Sequence, residues 1–437
     1  MVADCTYRHH RHHSCVTGAP GTEVLNVNNR SAAGTDRRAA GRRQAFAAAV
    51  VSLTAAFAAS ASPIPLFNTY RAEQGFTNAN ISLAVVSYFV GTITALLVLG
   101  RLSGHLGRRP TSLASLALLA AGCALLLNVH GIGWLIGGRL LMGLGAGLAS
   151  SALTSYIVDA APSAPVWVAS VASSQAPMLG LTLGAVGSGA LVQYGPWPRT
   201  LVYLIMIAAL LASASLIVAS PEMAPRTPGA WRSLRPSIHL PRRVLHLLPV
   251  ATSVLLATWA TGAFYQAFVP ALTQEQLGTQ DALIIGLVFS AYMAPSVIGA
   301  PIGGRFAPAT AQRLGMVIFL IGMVAILTAV SLNILALFVA GSLIAGGGQG
   351  IAVSATIRGL LHRSTIADRS PIFAAIYLLS YTGAAVPSLI AGQLSHTLTT
   401  TEIALGYGGL ALAATLITVI AARNPEPTVL TSGDRSA

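Results

Sequence analysis

Lysine is absent from this chain: all 25 basic residues are arginine, set against only 12 acidic ones. Charged residues make up 8% of 437 positions, against roughly 25% in a soluble globular domain. So little charge excludes an ordinary water-solvated surface. Cys5, Cys15 and Cys123 are too few for a disulfide framework. Acids are missing where intramembrane chemistry would need them: Asp159, Glu222, Glu275, Asp281 and the other carboxylates all fall outside the middles of the apolar runs. The chain also lacks H-E-x-x-H, G-x-S-x-G and a P-loop, so no enzyme chemistry, cofactor or metal is expected.

What fills the chain instead is apolar sequence, 54% of it. Runs of about 20 residues, long enough to cross a hydrocarbon core of roughly 30 Å, recur throughout. Twelve are expected, over 45–66, 79–100, 111–129, 132–158, 165–192, 199–219, 247–272, 282–304, 311–332, 334–357, 371–395 and 402–422. In lipid every span must satisfy its own backbone hydrogen bonds, and continuous runs exclude alternating barrel strands. The fold class is therefore an all-α membrane protein with twelve transmembrane helices.

Arginine placement sets the expected orientation. With the N terminus inside, 22 arginines fall in inner loops and tails, only Arg71 and Arg199 fall outside, and Arg139 lies within the fourth helix. By the positive-inside rule both termini are expected in the cytoplasm, in a plasma (inner) membrane. The net charge of +13 then reflects topology and attraction to anionic lipid, so no nucleic-acid partner is expected.

Residues 1–44 are polar and without apolar period, and are expected to form a disordered cytoplasmic tail. Their "CTYRHHRHHSC" contains metal-ligand types, but composition alone specifies no metal site. A Pro- and Arg-rich linker at 220–246 separates two six-helix halves, 45–219 and 247–422, and 423–437 forms a second tail. The halves resemble each other. Tyr88, Gly100, Arg101 and Arg109 recur 204 residues later as Tyr292, Gly304, Arg305 and Arg313. "GLGAGLASSA" from Gly143 lies over "GGGQGIAVSA" from Gly346 at an offset of 203. A duplicated six-helix unit is the plan of transporters that rock about a central cavity.

The loop after the second helix reads "GRLSGHLGRRP". Here the sequence resembles the major facilitator superfamily, whose signature in this loop is G-x-L-A-D-R-x-G-R-[KR]. Gly100, Leu102, Gly107, Arg108 and Arg109 match, whereas Gly104 replaces the family's Asp and His105 its usual Arg. Helix 4 continues the resemblance in "RLLMGLGAG", with Arg139, Gly143, Gly145 and Gly147. Helix 5, "GLTLGAVGSG", is similar to an element of the family's antiporters at Gly180, Gly184 and Gly189, and equally suits plain small-residue helix packing. The resemblance implies alternating access between two halves. The missing loop Asp implies a weaker or differently built inner latch, for which Asp159 paired with Arg108 or Arg109 is the candidate.

Arg139 is the one charge deep in a span. An arginine there costs about 2.5–3.5 kcal/mol on insertion scales, so it is expected to face a cavity or polar partner. Neutral groups such as Gln175, Gln266 or backbone carbonyls must serve. The substrate cavity is expected to involve Arg139, Gln175, Gln266, Tyr265, Gln349, Tyr292, Tyr377 and Tyr381, although aromatic residues on helices are more often core than ligand. A cation exporter normally needs a cavity carboxylate, and none is available. The expected function is secondary transport of a small neutral or amphipathic solute, with export implied by the resemblance. Uptake of a metabolite or sugar and a non-transporting receptor are the alternatives. The expected partners are that small molecule and the lipid bilayer, with protons a candidate coupling ion and the chain a monomer.

Overall fold

The computed structural model describes residues 23–161, 167–224, 242–362 and 366–424. Among them are twelve helical spans long and apolar enough to cross a membrane. These are α1 (Ala40–Gln74), α2 (Asn78–Leu99), α3 (Arg108–Leu126), α4 (Ile132–Ala160), α5 (Val171–Tyr194) and α6 (Pro198–Ala219). The second half holds α7 (Leu248–Ala267), α8 (Ala282–Gly303), α9 (Pro308–Leu332), α10 (Leu335–Leu361), α11 (Ile372–Leu394) and α12 (Thr400–Ala421). No strand occurs among the described residues. The chain is thus a multi-pass α-helical membrane protein, with span ends within about five residues of those read from hydropathy except at the end of α1, which runs eight residues farther, and the start of α5, which comes six residues later.

The helix leading into α1 already begins at Glu23, within the segment expected as a disordered tail. Its Ala, Arg and Gln are good helix formers, and an adjoining apolar helix removes the cost of nucleation. The His- and Cys-bearing segment of residues 5–15 and most of the linker, 225–241, lie outside the described residues.

The internal repeat has a packing basis. A Cβ on Gly143 of α4 would overlap the Tyr88 carbonyl oxygen of α2, and a Cβ on Gly346 of α10 would overlap that of Tyr292 on α8. One turn on, Gly147 meets the Thr92 carbonyl as Gly350 meets Ser296. On the other side, Gly145 packs on Ser115 of α3 and Gly348 on Gly315 of α9. The same glycine face in each half therefore admits two neighbouring backbones, where dispersion replaces the hydrophobic drive that lipid lacks.

Close approaches between the halves gather toward the face opposite the arginine-rich loops. Gly189 of α5 packs on Ala282 of α8, and Gly392 of α11 on Ser82 of α2. Asn68 Nδ2 donates to the Pro270 carbonyl at 2.6 Å, and the Ala282 N–H donates to Gln193 Oε1 at 3.1 Å. Gly180 and Gly184 instead seat α5 against Thr54 and Ala58 of α1.

Candidate functional site

Pro63 and Pro65 carry no amide N–H, and the α1 helix stops at Ala61 before resuming at Phe67. The Ser60 carbonyl is thereby among the last four of its helix, which lack intrahelical donors. Arg139 of α4 fills that need: its Nη1 donates to Ser60 O at 2.8 Å. Its Nη2 donates to Gln266 Oε1 of α7 at 2.9 Å, and the guanidinium lies 4.5 Å from the centroid of the Tyr88 ring. Arg139 is fully buried and its Nε has no partner. Four helices from both halves meet on one side chain.

Beside this node lies a cavity of about 80 Å³. Tyr88, Phe89, Trp259 and Tyr381 supply its aromatic wall, Met178 and Met293 flank it, and Gln266 and Gln349 are its amides. Trp259 meets Tyr381 edge-on at 4.7 Å between centroids, and Phe89 lies 6.1 Å from Tyr381. Gln349 Oε1 is buried without a partner. The lining contains no carboxylate and no histidine, so it offers stacking surfaces and amide hydrogen bonds and no proton acceptor of ordinary strength.

Of the eight residues expected in the cavity, Gln266, Gln349 and Tyr381 line it, and Arg139 stands directly behind Gln266 and Tyr88. Tyr265 and Tyr292 do not. Their rings stack on each other at 4.6 Å, with one hydroxyl on Ser342 Oγ and the other donating to the Thr258 carbonyl at 2.8 Å. Tyr377 stacks on Tyr381 at 6.3 Å without lining the cavity, on the side toward the arginine-rich face. Gln175 is half-buried and donates to Ser174 Oγ, away from Arg139. Ser60 is a site residue that the sequence did not single out, and Tyr88 stood there only as a mark of the repeat. The proline pair after Ala61 was the available signal for Ser60.

The arginine-rich loop forms a second cluster. Arg108 Nε bonds Asp159 Oδ2 at 2.7 Å, and Arg108 Nη1 donates to Ser103 Oγ at 2.9 Å. Glu222, just past α6, accepts the backbone N–H groups of Arg108 and Arg109 at 2.8 and 3.0 Å. It so satisfies the start of α3, where a negative charge is favoured. Gly107 has φ +102°, and a Cβ there would crowd the Glu222 carboxylate, so glycine alone fits. Gly104 has open space around it. Arg42 adds bonds to the carbonyls of Asp159 and Ala161. All these contacts lie within one half. The Asp159 pair therefore ties the loop to the end of α4 within the N-terminal half.

The sequence model of the Major Facilitator Superfamily matches residues 45–282. The multidrug transporter MdfA of Yersinia pestis bv. Antiqua (strain Angola) is 24% identical over 251 residues, covering 56% of this chain and 60% of that protein. The chain thus spans about 60% of the length of the curated relatives of this kind that it matches. A human (Homo sapiens) proton myo-inositol cotransporter is 39% identical over 90 residues, 21% of this chain and 13% of that one. Among solved structures, a D-xylose–proton symporter superposes with a TM-score of 0.67 at 16% identity, covering 88% of this chain and 98% of the other. A partially occluded inward open conformation of the xylose transporter XylE from E. coli gives 0.67 at 15% identity, covering 90% and 100%. At such identity these structures speak for the fold alone.

Proposed function

The chain belongs to the Major Facilitator Superfamily, and we propose that it is a secondary transporter that carries a small neutral or amphipathic solute by alternating access and serves in export. The observation that carries the reading is the aromatic and amide cavity, walled by α1, α2 and α5 of one half and by α7, α8, α10 and α11 of the other. A site shared by two halves is remade whenever they rock. With both termini in the cytoplasm of an inner membrane, the arginine-rich face is the inner one, and the close inter-half contacts near Gly189 and Gly392 seal the outer side. The protein then rests facing inward, the state in which an exporter collects its load. The multidrug transporter relative supports export, and the loop cluster of Gly100, Leu102, Gly107, Arg108, Arg109 and Asp159 serves to fasten the inner end of the N-terminal half.

Coupling has few candidates. The described acids sit at span ends: Glu73 beside Arg199, Glu275 on Thr400 Oγ1, Asp281 capping α8 and Glu402 capping α12. Flux is then driven by the solute's own gradient, or by protons taken up at a peripheral carboxylate. Accumulation of labelled compounds in cells with and without the chain, with Arg139→Ala as reference, tests the proposal. Export lowers accumulation and uptake raises it. A receptor changes neither, and that result would end the transporter reading.

A further inference from the structure

We infer that the cavity selects planar aromatic solutes that are neutral or anionic and carry a hydrogen-bond acceptor, such as aryl sulfonates and sulfonamides, and rejects aryl cations of the same shape. The inference deepens the transporter reading, on which it rests for the ligand's fate and not for its binding.

The orientation of the Gln266 amide settles the first point. A guanidinium only donates hydrogen bonds, so the Gln266 atom 2.9 Å from Arg139 Nη2 is the amide oxygen. The NH₂ end is then turned away from Arg139, on a side chain that lines the cavity. Arg139 polarises that amide, which strengthens its N–H groups as donors. On α10, Gln349 brings a buried Oε1 with no partner. Its amide can present either end, so it suits a sulfonyl oxygen or a sulfonamide N–H.

Charge decides the second point. Two ion pairs, Arg108 with Asp159 and Arg199 with Glu73, lie at span ends. Arg139 is held by a carbonyl, an amide oxygen and a ring, none of which cancels its charge. Aromatic walls alone would also attract cations. Here the Tyr88 ring already faces a guanidinium, and the cavity lining holds no acid, so repulsion from Arg139 outweighs the remaining rings in this low-dielectric setting.

Size sets the third point. A cavity of about 80 Å³ is smaller than the roughly 150 Å³ that accommodates benzene in an apolar core. It leaves no room for a second ring, and even one enters only as the flexible Met178 and Met293 yield.

The test uses three probes with one nitroaryl body: 4-nitrobenzenesulfonate, 4-nitrobenzenesulfonamide and 4-nitrophenyltrimethylammonium. Quenching of tryptophan fluorescence is read on the purified full chain, with Trp259→Phe as the blank, so that only cavity binding counts. Sulfonate and sulfonamide should quench saturably, with the ammonium at least tenfold weaker. Gln266→Glu, which neutralises Arg139 and removes the NH₂ donor, should weaken the sulfonate at least tenfold and bring the ammonium level with the sulfonamide. Gln349→Ala, which does not alter the charge, should weaken sulfonate and sulfonamide together. A wild-type preference for the ammonium overturns the inference, as does the lack of any Trp259-dependent signal or an unchanged order in Gln266→Glu. Each of those results leaves transport of some other solute to the accumulation assay. The expected binding order without any change in accumulation overturns the transport reading alone.

Discussion

Replacing Gln266 by alanine removes a hydrogen bond that ties α4 of the first half to α7 of the second. Bonds to charged groups contribute about 1.5–3 kcal/mol net. On the proposed alternating-access cycle the halves part on this side and expose Arg139 to water, so the bond stabilises the present state only. At about 1.4 kcal/mol per decade, its loss should move the inward–outward equilibrium roughly 10- to 150-fold toward outward. Ser82 supplies the reporter: it is buried against Gly392 of the other half, toward the face opposite the arginine-rich loops, which is the outer one in the proposed orientation, and its Oγ has no partner. In a chain with Cys5, Cys15 and Cys123 replaced, Ser82→Cys should react with an externally added, membrane-impermeant maleimide at least tenfold faster when Gln266→Ala is present. Asn68→Ala removes a neutral bond to the Pro270 carbonyl. Such bonds contribute about 0.5–1.5 kcal/mol, so a smaller rise of roughly 2- to 13-fold is expected. An unchanged rate in Gln266→Ala, with full labelling after denaturation, would refute the reasoning. So would an effect of Asn68→Ala that exceeds it.

Arg139→Ala should reduce flux per inserted protein at least tenfold with membrane insertion intact, and Arg139→Lys should restore little, because one ammonium lacks the planar fork that reaches both Ser60 O and Gln266 Oε1. Wild-type flux in Arg139→Ala would show the node to be dispensable. Gly143→Ala forces α4 off the Tyr88 backbone and should destabilise the protein by about 1–3 kcal/mol or more, read as a lower melting temperature, whereas Gly137→Ala, with open space at its Cβ, should stay within about 0.5 kcal/mol. Asp159→Asn should cost about 0–1 kcal/mol, since the pair is partly exposed, and should leave flux within twofold because both partners belong to one half. Arg108→Ala should then add little, and a tenfold loss of flux in either single variant would give the pair a direct part in transport.

The spans were legible because lipid imposes length and continuity on any helix that crosses it. Arg139 stood out for a related reason: a buried guanidinium needs partners, and the scarcity of acids left neutral ones such as Gln266. What composition does not encode is rotation. Tyr265 and Gln266 are neighbours on α7, yet one packs against Tyr292 while the other lines the cavity. On helices that are apolar all round, no polar stripe marks the inward face. Gln175 was misplaced for this reason, and the buried tyrosines could not be told from cavity walls. Glu222 was counted among the acids but given no role, because it follows α6 in what reads as linker, while its role depends on a loop more than a hundred residues earlier.

Solute counterflow in proteoliposomes tests the central claim most directly. Vesicles holding the purified chain are loaded with unlabelled 4-nitrobenzenesulfonate and diluted into a trace of the labelled compound. An alternating-access carrier exchanges one for the other whatever its direction in the cell or its coupling ion. Label should rise transiently above its equilibrium level, and should fail to do so with protein-free vesicles or with Arg139→Ala. Equal traces with and without the wild-type chain, for a probe that still quenches Trp259, would contradict the account and leave a binding protein in place of a transporter.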